Sequence, residues 1–367
     1  MRLKKRSPDF ILFLTVLMLL SVGIVMVFSA SQYVTIIRYQ NAFYYFERQM
    51  LWALIGVTAM IVIMNIDYYR IKRWIGPIVV IAFVLLIMVL IPGIGKEVNG
   101  SMRWIDLKII SFAPAELVKL CLIAFVAFGL SKRPGLVQNF SKGLLPYLAI
   151  MAAAAGLILM QPDLGTAVTL CGTIIIMFLA AGARISHILG LGVAGLCAVM
   201  VAIIVKPYRV KRFLAFLDPT ADPQGSGYHI IQSLYALGSG GLFGMGLGQS
   251  KQKFLYLPEN HTDFIFAIIG EELGFIGASL VILLFMLLVW RGLKIAITSP
   301  DPFASLLATG ITCGIALQAI INIGVVTGSM PVTGVPLPFI SFGGTSLLFT
   351  LMGVGILLNI SKYTSPR

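Results

Sequence analysis

Long runs without a charged residue organise this chain, rather than an amphipathic period. Such runs cover 10–37, 49–66, 74–95, 143–162, 164–183, 185–205, 273–290 and 302–361. About 20 apolar residues in a helix cross a bilayer core of roughly 30 Å. The runs therefore predict membrane helices at 10–30, 49–66, 75–93, 114–131, 143–160, 164–182, 186–206, 265–290, 303–327 and 345–361. The last run is long enough for two spans, and the Gly- and Pro-rich stretch from Gly328 to Gly344 divides it. The implied fold class is all-α, a polytopic protein with ten transmembrane helices. It forms one integral membrane domain over 1–367, with a large extracytoplasmic loop at 206–263. An outer-membrane barrel would instead show alternating segments of about ten residues. No long-period repeat is visible, and neither are the inverted halves of many transporters.

Composition agrees. The 367 residues are 59% hydrophobic and 11% charged, against about 25% charged in soluble domains. That excludes a soluble enzyme, and it excludes nucleic-acid binding despite the formal net charge of +13. The cations are asymmetric. Arg2, Lys4, Lys5, Arg6, Arg70, Lys72, Arg73, Lys132, Arg133, Lys142, Arg184, Arg291, Lys294, Lys362 and Arg367 fall on one side of the predicted spans. The short segments of the other side hold only Arg38, Arg48, Lys96, Arg103 and Lys108. By the positive-inside rule both termini are cytoplasmic and the loop 206–263 faces outward. The basic N-terminus resembles a signal peptide, but no small-residue cleavage site follows, so it reads as an uncleaved first span. Cys121, Cys171, Cys197 and Cys313 lie inside spans without metal or redox spacing, and read as packing residues.

Ionisable groups at membrane depth cost several kcal/mol unless paired or hydrated, so they point to function. Glu116 and Lys119, in PAELVKL, share a helix face near the outer end of the fourth span. They form either an orienting ion pair or a contact for an anionic headgroup. Asp163, in QPDLGTA, sits at an outer turn where it can cap the sixth helix. In NGSMRWIDL, Asn99-Gly100 signals a turn, Trp104 suits the membrane interface, and Arg103 can grip a phosphate. The loop opens with PYRVKRFLAFL, a basic amphipathic segment carrying Arg209 and Arg212, and 228–237 suits a second short helix. The later GMGLG resembles part of a nucleotide fingerprint, but no strand precedes it. LPENHTDFIFAIIGEELG carries Glu259, His261 and Asp263 before the eighth span, then Glu271 and Glu272 within it. These spacings match no standard metal site. One of the two inner glutamates reads as a buried polar tie to another helix. Carboxylates and cations at the outer face suit a lipid with an anionic head: cations hold phosphate and a carboxylate takes a proton from a hydroxyl.

NGSMRWID, PAELVKL, QPDLGTA, PYRVKRFLAFLDP, the stretch from GSGYHIIQS to ENHTDFIFAIIGEELGFIG, and NIGVVTGSMPVTGVPLPFISFGGTSLL occur in this order. On these motifs the chain, over about 8–363, resembles the SEDS proteins (shape, elongation, division and sporulation). It looks more like their SpoVE and FtsW branch than like RodA. The resemblance implies a ten-helix peptidoglycan glycosyltransferase that polymerises lipid II, the undecaprenyl-pyrophosphate disaccharide-pentapeptide. It implies work beside a class B penicillin-binding protein and other divisome or elongasome membrane proteins. It implies Asp263 as the catalytic residue, with Glu116, Lys119 and Asp163 lining an outward cavity. Arg48, Arg103, Trp104, Arg209 and Arg212 complete the expected substrate site. A divalent cation, Mg or Mn, is an expected helper that no residue pattern identifies. The alternatives are a lipid II flippase, which needs polar contacts through the full membrane depth, and a non-catalytic scaffold, which gives the embedded charges no purpose.

Overall fold

The computed structural model describes residues 6–98, 101–106 and 111–364. Each predicted helix is present. The first three are α1 (Phe10–Tyr39), α2 (Tyr44–Asn65) and α3 (Tyr68–Met88). Next come α4 (Pro114–Lys132), α5 (Leu145–Met160), α6 (Leu164–Ala180) and α7 (Ile185–Ile204). Two short helices, α8 (Pro207–Leu217) and α9 (Tyr228–Gly240), occupy the long loop, and α10 (Ile265–Thr298), α11 (Pro302–Val326) and α12 (Gly344–Ser361) complete the set. Among the described residues, eight helices are long and apolar enough to cross a membrane; α6 is apolar with 17 residues. The chain is a multi-pass membrane protein.

Two features depart from the sequence reading. Between α3 and α4, β1 (Gly95–Val98), β2 (Ser101–Asp106) and β3 (Ser111–Phe112) form a small antiparallel sheet in the order β1-β2-β3, added to an otherwise all-α fold. The predicted Asn99-Gly100 turn falls between β1 and β2, outside the described residues, as does Lys108. The second departure is in α10, which is not one continuous span. Gly274 has φ 68° and breaks it into a buried leg, Ile265–Leu273, and a long helix that runs on to Thr298. An apolar pattern cannot report such a break, because both pieces are apolar.

Helices α4, α11 and α12 form the buried centre, with large parts of each inaccessible. Glycine lets neighbours approach closely, as helices in lipid require. Gly56 of α2 lies on Leu351 of α12, and Gly355 of α12 lies on the Met60 backbone. By contrast, Ile203 is the one buried residue of α7, whose sequence is apolar all round. At one end of the bundle Arg291 of α10 pairs with Asp9, the N-cap of α1, and Lys72 pairs with Asp301 at 3.2 Å. Arg6 N–H donates to the Lys362 carbonyl there at 3.0 Å, so the two described chain ends meet. At the opposite end the N-termini of α2, α4, α6, α10 and α12 gather.

Candidate active site

Asp263 immediately precedes the short leg of α10. Phe264 and Ile265 beside it are buried, and Asp263 itself is half-buried. Its main chain is fixed from α11: Asn322 Nδ2 donates to the Asp263 carbonyl at 2.7 Å and to the Val335 carbonyl at 2.8 Å. The segment 331–343, between α11 and α12, runs alongside. Ser341 Oγ donates to the Thr262 carbonyl at 2.6 Å, and Phe342 N–H to the His261 carbonyl at 2.9 Å. Gly334, at φ 77°, lies against the Asp263 carboxylate; a Cβ there would stand 3.4 Å from Oδ2. Glycine fits because the position needs a left-handed backbone and a close approach.

The same segment reaches the other embedded charges. Gly165, the second residue of α6, packs against Thr333 and Val335. Asp163 caps α6, accepting from Thr166 N–H at 3.0 Å and Thr166 Oγ1 at 2.9 Å. In α4, Lys119 pairs with Glu116 at 2.8 Å and donates to Gln318 Oε1 at 3.0 Å. Gln318 Nε2 in turn donates to the Pro336 carbonyl at 3.0 Å. Gln318 therefore connects Lys119 to Pro336, two residues along from the Gly334 that lies against Asp263. Below Lys119 lies an open-mouthed cavity of about 60 Å³. Glu116, Lys119 and Gln318 make its polar end, and Thr169, Thr173 and Thr350 line its walls.

Burial pushes the Asp263 carboxyl up to about 7. Glu259 and Asp163 add to the rise through like charge, while Arg103 and Arg212 oppose it. A carboxylate poised there can hold or take a proton near neutral pH. His229 of α9 stacks on Phe264 at 5.5 Å, and burial and Arg212 push it below the usual histidine range. His261 stacks on Tyr45 at 4.6 Å, and burial pushes it down to about 4. Both imidazoles are neutral at pH 7.

The expected cations divide by what they touch. Arg212 is exposed and lies over the Tyr208 ring at 5.8 Å, and its charge acts at a distance on both Asp263 and His229. Arg103 also acts there, but its guanidinium is engaged: it pairs with Asp163 at 3.5 Å and donates to the Gln161 and Pro162 carbonyls at 3.3 and 2.6 Å. It thus ties the sheet to the α5–α6 turn. Arg209 turns away, giving Nη1 to the Ala202 carbonyl of α7 at 2.9 Å and Nε to the Tyr208 hydroxyl. The exposed guanidinium of Arg48 covers the Tyr44 ring at 4.4 Å, and no hydrogen bond or ion pair joins it to Asp263. Trp104 is half-buried in β2, opposite Lys96. Sequence reasoning missed Gln318 and Asn322, although two amides four residues apart in a charge-free span are a visible signal of one polar helix face.

The model of the cell cycle protein family FtsW/RodA/SpoVE matches residues 10–366. The chain belongs to the FtsW/RodA/SpoVE family. Among members of this family, it is 51% identical over 364 residues to stage V sporulation protein E of Bacillus subtilis (strain 168), covering 99% of this chain and 100% of that protein. It is 46% identical over 353 residues to the probable peptidoglycan glycosyltransferase FtsW of Trichlorobacter lovleyi, covering 96% of this chain and 93% of that one. Its fold matches a chain from work described as structural coordination of polymerization and crosslinking by a peptidoglycan synthase complex. That match has a TM-score of 0.80 and 29% identity, covering 97% of this chain and 98% of the other. The rod shape determining protein RodA of Thermus thermophilus matches with TM-score 0.73 and 28% identity, covering 98% and 99%.

Proposed function

We propose that this FtsW/RodA/SpoVE protein is a peptidoglycan glycosyltransferase that polymerises lipid II at the outer face of the cytoplasmic membrane. The observation that carries the reading is Asp263: a carboxyl raised to about 7 and held against Gly334, in the segment whose Pro336 is tied through Gln318 to Lys119. Full-length similarity to a probable peptidoglycan glycosyltransferase supports it. Asp263 takes the proton from the acceptor GlcNAc 4-hydroxyl, whose oxygen attacks C1 of the donor MurNAc. The C1–oxygen bond to the lipid pyrophosphate breaks, with inversion at C1. Such a base contributes roughly 10²–10⁴-fold. Lys119 and Arg212 meet the charge on the leaving pyrophosphate, and Arg103 holds Asp163 and the α5–α6 turn in place.

Among the described residues no group of three or more His, Cys, Asp or Glu gathers as metal ligands. The partner this reading calls for is a class B penicillin-binding protein. The lipid-facing side of α10, with Ile276, Leu280, Leu283 and Met286 exposed, offers it an apolar helix surface. Ten crossings with both termini cytoplasmic complete the proposed topology, and it serves division or spore cortex synthesis. The test is direct: purified protein and its Asp263→Asn variant, each with and without the cognate transpeptidase, receive lipid II, and glycan chains are resolved on a gel. Polymer from the wild type and none from the variant is the expected result. Equal polymer from both removes Asp263 from the reaction.

A further inference from the structure

The glutamates of α10 lie outside the chemistry above, yet both are about 1% exposed and fully engaged. Glu271 accepts from Ser250 Oγ, from Lys251 N–H at 2.9 Å and from Gln252 N–H at 3.4 Å. Glu272 accepts from Ser29 Oγ of α1 at 2.7 Å and from Ser250 N–H at 3.3 Å. Lys253, 3% exposed, pairs with Glu272 at 3.3 Å and donates to the Gly248 carbonyl at 2.6 Å. The main chain is joined at the same level. Because Gly274 breaks α10, the Glu271 and Glu272 carbonyls accept from Met245 and Gly246 N–H, at 2.9 and 3.0 Å. The Phe275 and Ile276 N–H groups donate to Gly241 and Leu242 at 2.8 and 3.2 Å.

This fastening closes a ring. From Lys253 the chain runs through Leu257, whose N–H donates to the Gln252 carbonyl at 3.0 Å, and Asn260, whose Nδ2 donates to the Lys253 carbonyl at 3.3 Å. It then reaches Asp263 and returns along the short leg to Glu271. Asp263 thus sits on a loop whose two ends are clasped together by buried carboxylates. Opening the clasp releases conformational entropy in that loop, so the closed form depends on it.

We propose that Glu271, Glu272 and Lys253 are positioning residues, a buried ionic clasp that holds the Asp263 loop in its reactive placement. This rests on the polymerase reading given above. Removing one partner leaves a buried charge uncompensated, which strains or opens such clusters. The clasp acts on geometry rather than on substrate contacts, so its loss falls on turnover and spares affinity.

The experiment uses the full chain with its partner transpeptidase. Glu272→Gln, Lys253→Met, Lys253→Arg and the charge exchange Lys253→Glu/Glu272→Lys are compared with wild type for lipid II turnover, KM, and amide hydrogen exchange over 254–264. The first two variants are expected to lose about tenfold or more in turnover, with KM within about twofold. They should also exchange faster over 254–264, while Lys253→Arg and the charge exchange recover much of both. Wild-type turnover in both single variants overturns the clasp. So does lost turnover with unchanged exchange over 254–264, or faster exchange throughout the chain in every variant. A wild-type protein that makes no polymer fails the polymerase reading instead, and the exchange measurements still decide whether the clasp holds the loop.

Discussion

Asp263 carries opposite pH dependences for activity and stability. As a base it works ionised, so turnover should rise with pH through about 7. Its folded carboxyl binds a proton more tightly than the unfolded one. The resulting stability is complete below the ordinary aspartate pKa, about 3.9, and is lost as pH rises through about 7. Asp263→Asn should therefore abolish polymerisation and melt a few degrees higher than wild type at pH 8, with the gain vanishing near pH 4. Glu259→Gln should remove a neighbouring negative charge and move the acid limb of the pH–rate profile below its wild-type position. Complete loss of activity in Glu259→Gln would instead make Glu259 the base. The second residue-scale prediction concerns Lys119, whose contacts are Glu116 and Gln318. Lys119→Met and Glu116→Gln should each cut polymerisation, and the double variant should cost less than the two added, since both break one pair. Unimpaired glycan synthesis by Lys119→Met would take it out of the mechanism.

At the scale of elements, the glycine-rich stretch 238–248 follows from the break in α10. Its GMGLG is not a nucleotide loop but a close approach of two backbones. Gly244, at φ 81°, lies on the Glu272 carbonyl and the Gly274 N–H, and Gly240 lies on the Gly270 carbonyl. Gly244→Val must strain a left-handed position and overlap backbone, so it should destabilise by about 2 kcal/mol or more. Gly238→Ala, which has open space at its Cβ, should be neutral or slightly stabilising because alanine favours the helix. Thermal unfolding in detergent of the two variants checks this, and equal melting points would contradict the packing. The helices themselves were legible in place and order, but α1 and α10 run eight or nine residues past the predicted ends and α3 begins seven before its predicted start. The sheet was not, since four- and six-residue strands beside a span carry too little pattern to register. The break at Gly274 was hidden for a different reason, because both pieces of α10 are apolar and the glycine alone does not reveal its φ.

For the whole molecule, the ends bearing Asp9, Arg291 and Lys362 lie opposite Asp263. A cysteine placed beside Lys132 in a cysteine-free background should resist a membrane-impermeant thiol reagent, and one placed in 218–226 should react. The reverse labelling would invert the proposed orientation. The sequence by itself determined what kind of molecule this is, because bilayer thickness and the cost of embedded charge act on every residue locally. It also marked Asp263, Asp163, Glu116 and Lys119, since an ionisable group in an apolar run stands out without knowing its neighbours. Which of these lie near one another, and which cations are engaged elsewhere, only the tertiary structure decided. Arg212 stays exposed and its charge reaches Asp263, while Arg209, three residues earlier, is buried and spent on α7. Nothing local distinguishes two arginines on one amphipathic helix. Their roles follow from where the helix is docked, and from the segment 331–343 that joins α4, α6, α10 and α11 through contacts far apart in the chain.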